Sequence, residues 1–387
     1  VIIEGVMGLF DGTDLPDLEE DSSAPGTSTS WGSTAHVARL TNLPVILVID
    51  CAHLSQSAAA IALGYSSLDP DLRIAGVILN NIKSTTHEAL IRQAMASIGL
   101  EVFGVIRNGE LPTRHSRHLG LRTAEEDPAE TRRWVDTLGE VIRTAVELEP
   151  MIARAERIVT QSPSLPAATQ APLSTRPVIA YSMGPAASFI YPENLDLLRE
   201  AGGDVVGFDP LVASIPPKTG LIWLHGGYPE HYLDELCANQ QLHVALRRAV
   251  DMGVPIIAEC GGHLLLGQSL NGRPMVGVLP LESTISTKLS LGYRQVLIPQ
   301  ASPLSLANRP ELPAHEFHYA RSDEARSDEA RSDEAGQGLS LRTARRTWRA
   351  GFANQSMISS YLHWHLGADV NLAHSLVQRA ARSIVDR

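Results

Sequence analysis

The chain has 387 residues, 44% of them hydrophobic and 19% charged, enough for two or three separate cores in an ordinary globular protein. Its 32 Lys+Arg against 43 Asp+Glu give a net charge of -11, which argues against a nucleic-acid partner, because such affinity rests on basic groups. No apolar run approaches the roughly 18 residues of a membrane-spanning helix. Cys51, Cys237 and Cys260 are too few and too scattered for a disulfide framework and fit reduced thiols in a cytoplasmic enzyme.

Val1-Ile2-Ile3 reads as a buried strand. A domain seldom begins inside a core strand, so the natural N-terminus is expected to lie upstream of Val1. Apolar runs of strand length recur at Val45–Ile49, Ile74–Leu79 and Val102–Ile106, with helical patterns at Thr34–Leu40, Ser57–Gly64 and Thr86–Ile98. Strands that are apolar on both faces, alternating with helices, predict an α/β domain with a helix-covered parallel sheet over residues 1–158. Residues 159–176, with Pro163, Pro166 and Pro172 among Ser, Thr and Ala, read as a linker.

Alternation resumes with strands expected at Val178–Tyr181, Asp204–Phe208, Gly220–Leu224 and Pro255–Ala258, and helices at Asn194–Ala201 and Gln241–Met252. Residues 177–387 are therefore read as a second α/β domain, richer in irregular structure from Met275 onward. Residues 321–335 are three copies of Arg-Ser-Asp-Glu-Ala. They have nothing apolar beyond Ala to bury and are read as a solvated insertion without assigned function.

The clearest chemical signal is Val254-Pro-Ile-Ile-Ala-Glu-Cys-Gly-Gly-His263, an apolar strand that breaks into small residues around a cysteine. Such a run suits a sharp strand-to-helix turn with Cys260 held up as a nucleophile and a helix N-terminus favouring its thiolate. Hydrolysis of an amide also needs a base and oxyanion donors. Leu224-His-Gly-Gly-Tyr-Pro-Glu230 offers backbone N–H groups at Gly226 and Gly227, with Gly261 beside the thiol. Ser360-Tyr-Leu-His-Trp-His-Leu366 offers His363 as the base, with His365 as its competitor. His315 and His318 have a metal-like spacing but no third ligand, so a structural or glutamine-pocket role is expected. Cys51 and Cys237 are expected to be inert, and Trp223 and Leu224 to lie in the core.

These pieces stand in an ordered series with Glu4-Gly-Val-Met-Gly-Leu-Phe-Asp-Gly12, Gly32-Ser-Thr-Ala35, Gly76-Val-Ile-Leu-Asn80, Arg117-His-Leu-Gly-Leu121, Tyr191-Pro-Glu-Asn-Leu195, Leu291-Gly-Tyr293 and His315-Glu-Phe-His318. The series resembles the cobyrinate a,c-diamide synthases, glutamine-dependent amidases of corrin biosynthesis, over all but the linker and the repeat. The resemblance implies a synthetase domain similar to dethiobiotin synthetase, followed by a class I glutamine amidotransferase domain. It also implies ATP activation of two corrinoid carboxylates, ammonia taken from glutamine, and Mg²⁺. By the same resemblance Glu4 would bind the metal, and Asp11 would sit near the corrinoid or metal. Ser33 and Thr34 would meet substrate or phosphate oxygens, and Asn80, closing its strand, would lie near the adenine. Arg117 and His118 would pair with carboxylates or phosphate.

Two departures stand out. No Gly-x-x-x-x-Gly-Lys-Ser/Thr phosphate loop occurs anywhere in the sequence, so that segment of the family is expected upstream of Val1. The common triad amidotransferases also carry a glutamate two residues after the histidine, and here that position is His365. The resembled family lacks that glutamate too, and the group that orients His363 is not identified from the sequence. Cobyrinate and hydrogenobyrinate are not distinguished. The rival readings are a cobyric acid or Ni-sirohydrochlorin amidase, an idle binding or regulatory module, and, from the first half alone, a ParA-like ATPase. A homodimer is left open.

Overall fold

A computed structural model describes residues 2–13, 31–113, 127–155, 176–323, 337–343, 345–369 and 371–385. Its contacts divide the chain into two units, Val1–Pro163 and Ser164–Arg387. Arg117, His118, nearly all of the 159–176 segment and most of the repeat lie outside the described residues.

The first unit is built on a parallel sheet of β1 (Val45–Asp50), β2 (Ile74–Ile82) and β3 (Val102–Arg107), in that order. The connections are helical: α1 (Thr34–Thr41) precedes β1, and α2 (Ser57–Leu68) and α3 (Thr85–Ser97) make the crossovers. α1 begins where the Ser33 hydroxyl accepts from His36 N–H, and it ends at Asn42 in the left-handed region. Val77, Leu79, Ile91 and Met95 are fully buried between sheet and helices. α4 (Pro128–Ala145) starts at the Asp127 cap with Pro128 in its first turn, and α5 (Leu148–Arg154) follows.

Two expectations are corrected here. Residues 2–6 form no strand, and Ile2 is 92% exposed. The ladder of this sheet is β1-β2-β3, and among the described residues the segment pairs with none of the three. Asn80 does not close its strand either, because β2 continues to Ile82. The chain kinks just after it, where Asn81 takes φ 60° and the β2–β3 register shifts between Leu79 and Ile82. Asparagine tolerates that left-handed geometry, and Asn81 donates to the Asp50 carboxylate at 2.9 Å.

The second unit begins with β4 (Val178–Ser182), α6 (Pro192–Glu200), β5 (Asp204–Phe208) and β6 (Thr219–Leu224). Next come α7 (Leu233–Ala238), α8 (Gln240–Asp251), β7 (Ile256–Glu259), α9 (Gly261–Leu266) and a two-rung hairpin of β8 (Ser269–Leu270) and β9 (Arg273–Pro274). A long excursion follows: β10 (Glu282–Leu297), β11 (Glu311–Ser322), β12 (Gln337–Arg342) and β13 (Thr347–Ala353). The chain returns through β14 (Met357–Ser360) and β15 (Leu362–His363) to the terminal α10 (Asn371–Val385). The sheet order is β15-β11-β10-β12-β13-β14-β7-β6-β4-β5. The β14-to-β5 end is parallel and the β15-to-β13 end antiparallel.

The stretch after Met275 is thus extended sheet rather than irregular chain. Its alternation escapes a sequence reading because β10 is mostly half-exposed, with only Ser283 and Val296 buried. β6 is the opposite case: all six residues are buried, with Trp223 and Leu224 fully so, as expected of a strand covered on both faces.

Candidate active site

Three neighbouring parallel strands, β14, β7 and β6, bring their carboxyl ends together, the position where open α/β sheets place their sites. Each end carries one expected part. Cys260 follows β7 directly, His363 lies three residues after β14, and Gly226-Gly227 follows β6 by two. Ser360 is the register partner of Glu259, and the Ser360 carbonyl accepts from Cys260 N–H at 2.8 Å. Residues about 100 positions apart therefore meet because their strands lie side by side.

Cys260 adopts φ 45° and ψ −103°, a conformation that a non-glycine residue holds only when its surroundings force it. The bare glycines allow this turn. A Cβ on Gly262 would lie 2.4 Å from the Leu224 carbonyl oxygen, and one on Gly227 would lie 2.3 Å from that of Ala186. A Cβ on Gly226 would fall 2.5 Å from His363 Cε1 and 3.1 Å from Cys260 Cβ, so imidazole and thiol-bearing carbon sit against one α-carbon. Sequence reading assigned Gly226, Gly227 and Gly261 together, but their geometry differs. The N–H groups of Gly227 and Gly261 lie close enough to the Cys260 sulfur to favour its ionised form. The Gly226 carbonyl is taken by Phe189 N–H, and its contribution is the absence of a side chain.

The thiol is 5% exposed, and burial, reinforced by the Glu230 and Glu259 carboxyls, pushes it up to about 12 against the two amides. The expected thiolate-favouring helix is only six residues long, and desolvation overrides it. His363 is 7% exposed and pushed down to about 3, by burial first and then by the neighbouring His315 and His318. The free site therefore rests as thiol and neutral imidazole. Iodoacetamide modification of Cys260, followed by peptide mass spectrometry, should be slow at pH 7 and rise about tenfold per pH unit through pH 9. A plateau below pH 8 would show a preformed thiolate instead.

His363, rather than His365, lies beside Cys260 at Gly226. His365 is exposed, accepts from Gly367 N–H at 3.1 Å and packs edge-on against Tyr191. His315 is the cross-strand partner of His363, 6.1 Å away between ring centroids, while His318 stacks on Tyr361 at 3.8 Å. Among the described residues no group of three or more His, Cys, Asp or Glu is placed to hold a metal.

Two buried polar residues escaped the sequence reading. Asn194, in α6, donates to the Trp364 carbonyl at 2.7 Å and accepts from Leu366 N–H at 2.8 Å, clamping the segment that carries His363. Glu259, in β7, accepts from Trp364 N–H at 2.9 Å, and its other oxygen lies 3.9 Å from His363 Nδ1. Burial pushes this carboxyl up to about 8. The Trp223 indole N–H favours its ionised form from nearby but has no partner of ordinary hydrogen-bond geometry. Each residue had a sequence signal: a carboxylate ending an all-apolar strand, and an amide in the buried stripe of α6 beside Leu195 and Leu198.

In the first unit, Glu4 and Asp11 are exposed carboxylates, and Asp11 folds against Gly8, whose Cβ would meet its Oδ2 at 2.3 Å. Ser33 is buried, with its oxygen engaged as the α1 cap. Thr34 packs on Gly5, and Asn80 accepts from Asn81 N–H through its side chain.

Residues 178–370 match the CobB/CobQ-like glutamine amidotransferase domain, and residues 10–121 match the CobQ/CobB/MinD/ParA nucleotide binding domain. Among similar proteins, the hydrogenobyrinate a,c-diamide synthase of Streptomyces coelicolor is 34% identical, over 99% of this chain and 81% of the relative. That of Mycobacterium tuberculosis is 36% identical over 98% and 80%. A cobyrinate a,c-diamide synthase from Synechococcus is 32% identical over 97% and 80%.

Proposed function

The chain belongs to the cobyrinate and hydrogenobyrinate a,c-diamide synthase family, and from that premise we propose that it transfers ammonia, released from glutamine at Cys260, to the a and c side-chain carboxylates of a corrinoid. The observation that carries the glutaminase half is the meeting of Cys260, His363 and the Gly227 and Gly261 amides at adjoining strand ends.

His363 takes the thiol proton as the sulfur attacks the side-chain amide carbon of glutamine. The Gly227 and Gly261 N–H groups hold the oxygen as it becomes negative. Breakage of the C–N bond, with the proton handed to the leaving nitrogen, releases ammonia. Water, activated by the same imidazole, then cleaves the thioester to glutamate. Because the thiol starts protonated and buried, glutamine is attacked only once it has entered and displaced water, which guards against idle reactivity of the sulfur.

The first unit is a nucleotide-binding domain. A Mg²⁺ that shares phosphate oxygens takes only one or two protein carboxylates. Glu4 and Asp11, exposed in this unit and part of no larger cluster among the described residues, fit that duty. ATP, when bound, supplies the leaving group that a carboxylate lacks. Thr34 and Asn80, with Arg117 and His118, are assigned to contacts with the nucleotide or the corrinoid. Ser33 is assigned to shaping the start of α1.

The test is incubation of the purified protein, in a form that includes a phosphate loop, with glutamine, ATP, Mg²⁺ and either cobyrinate or hydrogenobyrinate, with products separated by mass. A glutamine-dependent diamide is expected. Glutamine hydrolysis with no amidation of either corrinoid would confine the activity to the second unit, and absence of both would overturn the reading.

A further inference from the structure

We infer that Glu259, the residue immediately before Cys260, is the acid partner of His363, filling from the nucleophile's own strand the position that a residue two after the histidine fills in the common triad enzymes. The inference rests on the glutaminase reading above and deepens it. Position 365 is itself a histidine, exposed and turned to Tyr191, so it offers no carboxylate to the ring. Glu259 does. It is 1% exposed, and one oxygen is anchored by Trp364 N–H, the amide that follows His363 in the chain. That anchor aims the second oxygen at Nδ1, 3.9 Å away. A ring approached at Nδ1 by a carboxylate keeps its proton there and leaves Nε2 to act as base. The 3.9 Å gap is longer than a hydrogen bond, as free-enzyme catalytic contacts often are before substrate closes the site.

The arrangement has a structural economy. β7 ends in Glu259 and turns through the strained Cys260, so one short segment fixes both nucleophile and acid, while β14, in register beside it, delivers the base. With Glu259 ionised, as it becomes above about pH 8, the step keeps its balance: the thiol proton moves to Nε2, the Nδ1 proton stays between ring and carboxylate, and the imidazolium formed is neutralised without any outside group. Glu259 touches neither substrate nor sulfur in this scheme, so it is a positioning residue.

The test is Glu259→Gln, which keeps an oxygen for Trp364 N–H but removes the charge and offers Nδ1 a donor. At pH 9, where the carboxyl is ionised, glutaminase kcat should fall by about 10²–10⁴-fold with the glutamine KM changed less than about threefold, the scale seen when a triad carboxylate is replaced by its amide. Glu259→Asp, which retains the charge, should recover at least about tenfold over the amide variant. An amide variant within about threefold of wild type, or no better rate for the aspartate, would overturn the inference. Should the amide variant fail to fold, ¹⁵N-histidine NMR of the wild type at pH 9, with the carboxyl ionised, decides the matter. The His363 signal must show the Nδ1–H form, and an Nε2–H form rules the pairing out. Full activity in Glu259→Gln with activity lost in a Cys260 variant would sink this inference alone. Activity retained without the Cys260 thiol would sink the glutaminase reading beneath it.

Discussion

Replacing Cys260 by serine should lower glutamine hydrolysis by at least about 10⁴-fold, because no other group in the site can form the acyl intermediate. Serine keeps the volume and the strained φ of 45°, so the fold should be undisturbed and the melting temperature should move by no more than a few degrees. The hydroxyl is a poor substitute here. Its proton is held far more tightly than a thiol's, and the buried imidazole, pushed down to about 3, is a weak base with no charge to spare. Ammonium release by the purified variant, measured against wild type at saturating glutamine, is the readout. A loss of less than about tenfold would mean that Cys260 is not the nucleophile.

The second large effect is expected at Asn194, which lies far from Cys260 in sequence and has no part in the chemistry. Its fully buried amide pairs with the Trp364 carbonyl and with Leu366 N–H, standing in for a strand that is not there. Alanine would leave both backbone groups buried without partners, each costing about 1–3 kcal/mol. An overall loss of about 2–5 kcal/mol is expected, read as a lower denaturant midpoint for the second unit with its m-value unchanged. Glutaminase kcat should fall as well, because Trp364 is the hinge between the Glu259 anchor and the His363 ring. A variant destabilised by less than about 1 kcal/mol would show that the clamp is dispensable.

What the sequence disclosed, and what it withheld, follows the range of the interactions. The parallel strands, the helices between them and the turn at Cys260 are written in contiguous residues: apolar runs, helical patterns between them, and glycines after the cysteine. The antiparallel strands depend on pairings that no local pattern reveals. In β10 most side chains are half-exposed, so alternation of burial never sharpens into a period of two. Glu259 and Asn194 bond to backbone 105 and 170 residues away, and neither partner can be read from its own surroundings. The residue types still left a trace, since a carboxylate and an amide stood where their neighbours were apolar. Ile2-Ile3 shows the reverse error: apolar residues of strand-forming type that join no ladder among the described residues.

The excursion of β10 through β13 separates two strands that end up in contact, β7 and β14. A ribosome that has translated the chain through residue 300 has made the sulfur but not its imidazole. Until residues 357–363 emerge and β14 slots in beside β7, the imidazole proposed as the base has no place beside the sulfur, so the order of the strands sets when the proposed pair can first form.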